Sequence, residues 1–253
     1  MQELTIAQIQ EKLITTTELT EEEHQQLIND SRIGVRKALQ KWEARRSHLK
    51  KLVEKYHQMN DFENELKMEG ARKIAGIDEA GRGPLAGPVV AASVILQPDA
   101  MIPGLNDSKQ LSAGKREYLY NRICESALSF GVGIVSAAEI DQINIYQAAK
   151  KAMVKAVDQM EIKPDHLLID AMELPLKIPQ KSLIKGDARS NSIAAASILA
   201  KVTRDRLMCA LDQKYPGYGF AVHKGYGTKA HLEAIEQLGT CPEHRLTFAP
   251  LKS

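Results

Sequence analysis

The sequence predicts an α/β fold: a mixed five-stranded sheet flanked by helices, with a helical extension at each end. Three observations carry this expectation. From residue 73 onward, short runs rich in Ile, Val and Ala alternate with longer amphipathic segments, the pattern of strands interleaved with helices. The first three of those runs lie close together, so part of the sheet is antiparallel, while the later ones are separated by helices. Before residue 70 there is no proline and one interior glycine, Gly34, which reads as two or three helices.

Within that N-terminal region, Thr20 followed by Glu21, Glu22 and Glu23 is a helix start, a hydroxyl cap with acids on the positive end of the dipole. Residues 32–55 carry nine basic residues (Arg32, Arg36, Lys37, Lys41, Arg45, Arg46, Lys50, Lys51, Lys55) against Glu43 and Glu54. Val35, Leu39, Trp42, Leu49, Val53 and Tyr56 recur at helical spacing and form its apolar face. The basic residues are either a solvated face or a surface for phosphate. Residues 73–79 and 89–96 read as strands joined by a Gly/Pro turn, 112–129 as a helix capped by Ser112, and 130–136 as a third strand. A helix over 138–160, a strand over 166–170, a strand over 181–185 and a long helix over 190–214 follow. A Gly- and aromatic-rich loop from residue 215 leads into a last helix, 229–238. The division expected is a helical accessory region, 1–69, and a catalytic domain, 70–253, whose helical extension begins near residue 215.

The formal net charge is +2 and the pI about 8.3, too mild to name a polyanionic partner. No apolar run approaches the ~20 residues of a membrane span, and the first ten residues lack a secretory pattern, so no membrane role and a cytoplasmic location are expected. Cys124, Cys209 and Cys241 form no CxxC pair and read as buried fillers or bystanders.

Chemistry points to the strand ends. Asp78 and Glu79 close an apolar run and open directly into Gly81-Arg82-Gly83-Pro84; Asp170 closes the apolar Leu167-Leu-Ile; Asp187 follows another strand. Adjoining strand ends of an α/β sheet converge, so these four acids are expected to form one cluster. Like charges held together need relief from solvent, Arg or Lys, or a cation. Oxygen-only donors suit Mg²⁺ or Mn²⁺, and two such ions roughly 4 Å apart activate a water and stabilise an in-line phosphoryl transition state. The Gly-rich turn lacks the Gly-Lys-Ser/Thr of a P-loop and the spacing of a dinucleotide fingerprint. It allows backbone groups to approach a ligand closely, or needs glycine only for its dihedral angles.

Ile77-Asp-Glu-Ala-Gly-Arg-Gly-Pro-Leu-Ala-Gly-Pro-Val-Val90 resembles the opening signature of ribonuclease HII, the type 2 ribonuclease H family. Asp107-Ser-Lys-Gln-Leu111, the strand end at Asp170, Lys185-Gly-Asp187, residues 193–205 and His223-Lys-Gly-Tyr-Gly-Thr228 are similar to its later motifs, in order. The resemblance covers about residues 73–250; the sister family, ribonuclease HIII, typically has Thr at the place of Arg82. It implies an RNase H-like fold and an endonuclease that uses Mn²⁺ or Mg²⁺, two ions, with Asp78, Glu79, Asp170 and Asp187 as catalytic and metal-binding residues. It implies hydrolysis of the RNA strand of RNA/DNA hybrids and nicking 5′ of single ribonucleotides in duplex DNA, leaving 3′-hydroxyl and 5′-phosphate ends. Gly81, Arg82 and Gly83 resemble the turn that reads a 2′-hydroxyl, and Tyr226 the ring that packs on the adjoining deoxyribose. Lys109, Lys185, Arg189, Ser192 and Lys224, with Lys201 and Arg204, are candidate phosphate contacts. His223 is read as structural or as a phosphate contact, not as a metal ligand. The chain is read as a monomer, with any replication or repair partner undetermined. Two alternatives stand: a hybrid-specific nuclease without junction preference, and a non-catalytic RNA/DNA-binding module.

Overall fold

The computed structural model describes residues 4–252 and divides into two compact units, one ending at Lys55 and the other beginning at Tyr56. The first holds α1 (Ile6–Thr15), α2 (Glu21–Ile28) and most of α3 (Ile33–Gln58). Thr5 with Gln8 and Thr20 with Glu23 form reciprocal capping boxes, so the two short helices start where their orphan amides are satisfied. Ile9 and Leu13 pack on Val35, Leu39 and Trp42. The Trp42 indole Nε1 donates to Thr16 O at 2.9 Å. Leu49, expected on the apolar face, is 49% exposed, because the cluster engages only the first half of α3.

The second unit contains α4 (Asp61–Met68) and a five-stranded sheet of order β3-β2-β1-β4-β5. Its strands are β1 (Ile74–Ala80), β2 (Val89–Leu96), β3 (Ala127–Val135), β4 (His166–Asp170) and β5 (Gln180–Leu183). β1, β2 and β3 pair antiparallel, whereas β1–β4 and β4–β5 are parallel, the mixed sheet the sequence predicts. α5 (Ala113–Ser126) ends three residues before its expected end, since β3 already begins at Ala127 to pair with Leu96. The helix expected over 138–160 is two helices, α6 (Ala137–Ile143) and α7 (Ile145–Asp158). Asn144 adopts φ +67° between them, and its side chain caps the Gln147 amide.

α7 buries Ala148, Ala152, Met153 and Ala156 on one face of the sheet with Ala75, Ile77, Ala91 and Ile169. α8 (Asn191–Lys214) covers the other, with Ala195, Ile198 and Leu199 against Ala92 and Val94. α9 (Phe220–His223) and α10 (Lys229–Leu238) follow. Cys124 and Cys241 are partly buried but Cys209 is exposed, and all three thiols are free. Among the described residues no helix is long and apolar enough to cross a membrane.

Within the C-terminal extension, α10 is tied to its flanking loops by a chain of neutral imidazoles. The Cys241 amide donates to His244 Nδ1 at 2.9 Å; the two Nε2 atoms of His244 and His231 lie 3.1 Å apart; His231 Nδ1 is 2.9 Å from Tyr226 O. A backbone N–H only donates, so His244 carries its proton on Nε2 and His231 on Nδ1. Burial lowers the pKa of His231 to about 4 and also lowers that of His244. The unfolded chain therefore binds more protons than the folded one between about pH 6.5 and 4, so stability is complete above that window and falls as pH drops through it. Ring NMR should find the His231 imidazole neutral at pH 5.5 with Tm already declining, and His244 titrating below the ordinary histidine value. Titration of either ring near pH 6.5 in the folded protein contradicts the assignment.

Candidate active site

β1 carries Asp78 and Glu79 in unbroken register, Asp78 opposite Ala92 and Glu79 opposite Ala91, so their side chains leave opposite faces of the strand. Asp78 is 5% exposed, and its Oδ1 accepts the Glu79 amide at 2.7 Å. Burial pushes its pKa well up; Glu79 and Asp170 push the same way, and hydrogen bonds from Ser197 and the Glu79 amide oppose them. Glu79 is raised by burial and drawn back by Arg82, whose Nη1 is 3.3 Å from Oε1. Its Oε2 is buried without a hydrogen-bond partner.

Asp170 ends β4, and its Oδ1 accepts the Gly186 amide at 2.7 Å. A methyl group at Gly186 would lie 2.6 Å from Ile193 Cδ1 and 3.3 Å from Asp170 Oδ1, so a larger residue would push the Ile193 side chain aside and crowd the carboxylate. Asp187 follows in a 3₁₀ turn, Gly186–Ala188. Burial raises its pKa to about 6, Asp107 and Asp170 add to the rise, and Lys109 opposes it. Ala171 (φ +48°), Lys185 (φ +56°) and Lys224 (φ +54°) hold left-handed backbone beside Asp170, Asp187 and Tyr226, three of the four such non-glycine residues described.

Glu79 and Asp170 line a cleft of about 660 Å³ together with Arg82, Lys109, Arg116, Lys201 and Tyr226. Among the described residues no three His, Cys, Asp or Glu side chains are drawn together as a ready ligand set. The donor chemistry nonetheless fits a hard divalent cation: carboxylate oxygens only, mutually repelling, one of them buried and unpartnered.

Gly81, Arg82 and Gly83 border the same cleft beside Tyr226, whose ring is 43% exposed. A methyl group at Gly83 would lie 3.8 Å from Tyr226 Cε1. The turn is braced from behind by two fully buried arginines. Arg204 donates to the carbonyls of Pro88, Ala86 and Lys224, and Arg245 to those of Gly81, Arg82 and Gly87. Gly81 has φ +98°, and a Cβ there would stand 2.1 Å from Arg204 Nε. The reading of Arg204 as a phosphate contact is thereby corrected: its donors are consumed in the interior.

Other candidates divide. Lys109 lines the cleft and acts electrostatically on Glu79 and Asp187. Lys201 lines it too, paired with Asp205 at 2.7 Å. Ser192 is 2% exposed and donates its hydroxyl to Glu63 at 2.7 Å, so it is not presented to a ligand. Arg189 donates to Ile184 O and lies over the Phe62 ring. Lys224 Nζ donates to Ala221 O at 2.6 Å; Lys185, exposed, precedes Gly186. His223 is bonded within the interior through Tyr218 O and the Gly225 amide. Asp107, Arg116, Ser197 and Arg245 escaped the sequence reading as parts of this site.

Comparison with known proteins agrees with the geometry. A family model described as Ribonuclease HII matches residues 75–250, and one described as Ribonuclease HII N-terminal domain matches residues 5–67. The ribonuclease HII of Bacillus mycoides is 55% identical over 252 residues, spanning 100% of this chain and 98% of that protein. The crystal structure of ribonuclease H2 from Pyrococcus horikoshii superimposes with a TM-score of 0.61 at 31% identity, covering 72% of this chain and 96% of that one. The Archaeoglobus fulgidus ribonuclease HII solved in complex with PCNA gives 0.60 at 26%, covering 72% and 98%. With its catalytic-unit motifs, its mixed sheet and its full length all matched, the chain belongs to the ribonuclease HII family.

Proposed function

We propose that the chain is a metal-dependent endoribonuclease that cuts the RNA strand of RNA/DNA hybrids and nicks 5′ of a single ribonucleotide in duplex DNA. The products carry 3′-hydroxyl and 5′-phosphate ends. The observation that carries the reading is one cleft lined by the carboxylates of Glu79 and Asp170, by cationic side chains, and by a glycine turn beside an exposed tyrosine.

Asp78, Glu79, Asp170 and Asp187 would hold Mg²⁺ or Mn²⁺, two ions, which supply an acidified water and charge relief on phosphoryl oxygens. Glu79 offers its unpartnered Oε2, and Asp187, its pKa raised only to about 6, is mostly ionised at neutral pH and available to a cation. Lys109, Arg116 and Lys201, lining the same cleft as Glu79 and Asp170, attract phosphates and bring the backbone close to the acids. Backbone groups of Gly81–Gly83 read the 2′-hydroxyl, which both donates and accepts; the Tyr226 ring packs on the next sugar where no such hydroxyl stands. Arg82 does double duty as the partner of Glu79.

Junction selectivity therefore resides in Tyr226. Tyr226→Ala should cut a full hybrid within a few-fold of the parent yet lose at least tenfold in its preference for a lone ribonucleotide in DNA. Equal losses on both substrates would reduce the reading to a hybrid nuclease without junction preference.

A further inference from the structure

Residues 56–67 match the N-terminal family model but belong to the second compact unit, and they hold a buried acid that the reaction scheme above does not use. Glu63, on α4, is 6% exposed. Its Oε1 accepts three hydrogen bonds: Ser190 Oγ at 2.7 Å, Ser192 Oγ at 2.7 Å and the Ser192 amide at 3.0 Å. Two more bonds bolt the same segments together, Asn191 N to Met59 O at 3.1 Å and Asn191 Nδ2 to Tyr56 O at 2.7 Å. A carboxyl this buried is costly unless its partners are in place.

These contacts reach Asp170 through the backbone of residues 186–190. Ser190 is the N-cap of α8, its Oγ accepting the Ile193 amide at 3.2 Å. Its own amide donates to Gly186 O at 2.8 Å, and that of Arg189 to the same oxygen at 2.9 Å. The Gly186 amide in turn fixes Asp170 Oδ1 at 2.7 Å, and Asp187 is the next residue. The segment holding this turn begins at Lys185, in left-handed backbone that a non-glycine residue keeps only under constraint.

We infer that Glu63 is a positioning residue: by clamping Ser190 and Ser192 it sets the turn that places Asp170 and Asp187 for a divalent cation. The inference rests on the proposed metal-binding role of those two aspartates. It assigns to α4, outside the matched catalytic segment, control of metal affinity. Groups that orient metal ligands from behind typically change affinity 10- to 100-fold when removed.

The test is direct Mn²⁺ binding, read from the free-ion electron paramagnetic resonance signal, on the full chain carrying Glu63→Ala, Glu63→Gln or Asp165→Ala. Asp165 is the control: it accepts the Arg72 and Lys73 amides at the opposite ends of β1 and β4, so its loss costs stability without touching the turn. Glu63→Ala should weaken Mn²⁺ binding about tenfold or more and raise the Mn²⁺ needed for half-maximal cleavage equally. Affinity for a hybrid in EDTA should stay unchanged. Glu63→Gln keeps an oxygen at the Oε1 position and should recover most of the affinity, while Asp165→Ala should keep parental affinity despite a lower Tm. A lower Tm with unchanged Mn²⁺ affinity in Glu63→Ala overturns the inference. Should that variant fail to fold, Ser190→Ala reads the same link, removing the bond to Glu63 along with the cap on the Ile193 amide, and unchanged Mn²⁺ affinity there overturns it as well. Asp187→Asn is measured alongside: if it leaves Mn²⁺ binding intact, the role proposed for Asp187 fails first, and the two failures are distinguished.

Discussion

Asp78→Asn should lose about 10³-fold in kcat, the scale of removing one preorganised electrostatic contact from an active site. Asp78 is the deepest of the four acids, held by Ser197 and the Glu79 amide, and its burial makes ionisation without a cation expensive. The asparagine is isosteric but no longer carries the charge a cation needs. Two further consequences separate this from general damage. The metal-free Tm should not fall, because the exchange removes a desolvated acid that Glu79 and Asp170 repel. Hybrid affinity in EDTA should hold, because Asp78 is buried and the isosteric exchange leaves the cationic lining of the cleft in place. Turnover within tenfold of the parent, with metal present, contradicts the assignment.

Arg245→Met should be the most damaging substitution outside the acids. Arg245 is fully buried and donates to carbonyls, at 2.6 Å to Gly81, 3.0 Å to Arg82 and 2.8 and 3.0 Å to Gly87. Burial lowers its pKa to about 9, which still leaves it charged at neutral pH. Methionine fills much of the volume but donates nothing, leaving the buried Gly87 carbonyl and the partly buried carbonyls of Gly81 and Arg82 short of a donor. Each such group costs about 1–3 kcal/mol. A combined loss of about 3 kcal/mol corresponds to a Tm lower by roughly 6–12 °C for a chain of this size. The unbraced Gly81–Gly83 turn should lower kcat/KM on the lone-ribonucleotide duplex more than on the full hybrid. Thermal denaturation and paired kinetics check both; a Tm within 2 °C of the parent contradicts the bracing role.

How far the sequence foretold these residues depended on whether their signal was local. Asp78, Glu79 and Asp170 were legible because apolar runs define their strands and a polar residue at such an end is conspicuous; β2, β4 and α10 fell at their expected bounds for the same reason. Asn144 had a signal that was passed over: Asn followed three residues later by Gln is a helix start, so the single long helix was two. Arg204 also left a trace, since Ala200, Arg204 and Met208 share one helical face and all three are buried. Glu63 and Arg245 left none. Glu63 reads as one acid among several on a short amphipathic helix, and its partners lie 127 and 129 positions away; Arg245 reaches back 158 to 164 positions. Long-range polar pairing has no periodicity, and in a single sequence a buried arginine looks like an exposed one. Ser192 failed the same way: a hydroxyl at a helix start suggested a phosphate, and a distant carboxyl had already claimed it.

The central claim is a metal-dependent cut at an RNA-to-DNA junction, and the most direct measurement is cleavage of two end-labelled duplexes with Mg²⁺, Mn²⁺ or EDTA. One is DNA carrying a single ribonucleotide; the other is a full RNA/DNA hybrid. The account predicts nicking 5′ of the lone ribonucleotide and cutting of the hybrid, both with either metal and neither with EDTA. Cutting in EDTA, or no cutting of either duplex with either metal, contradicts it.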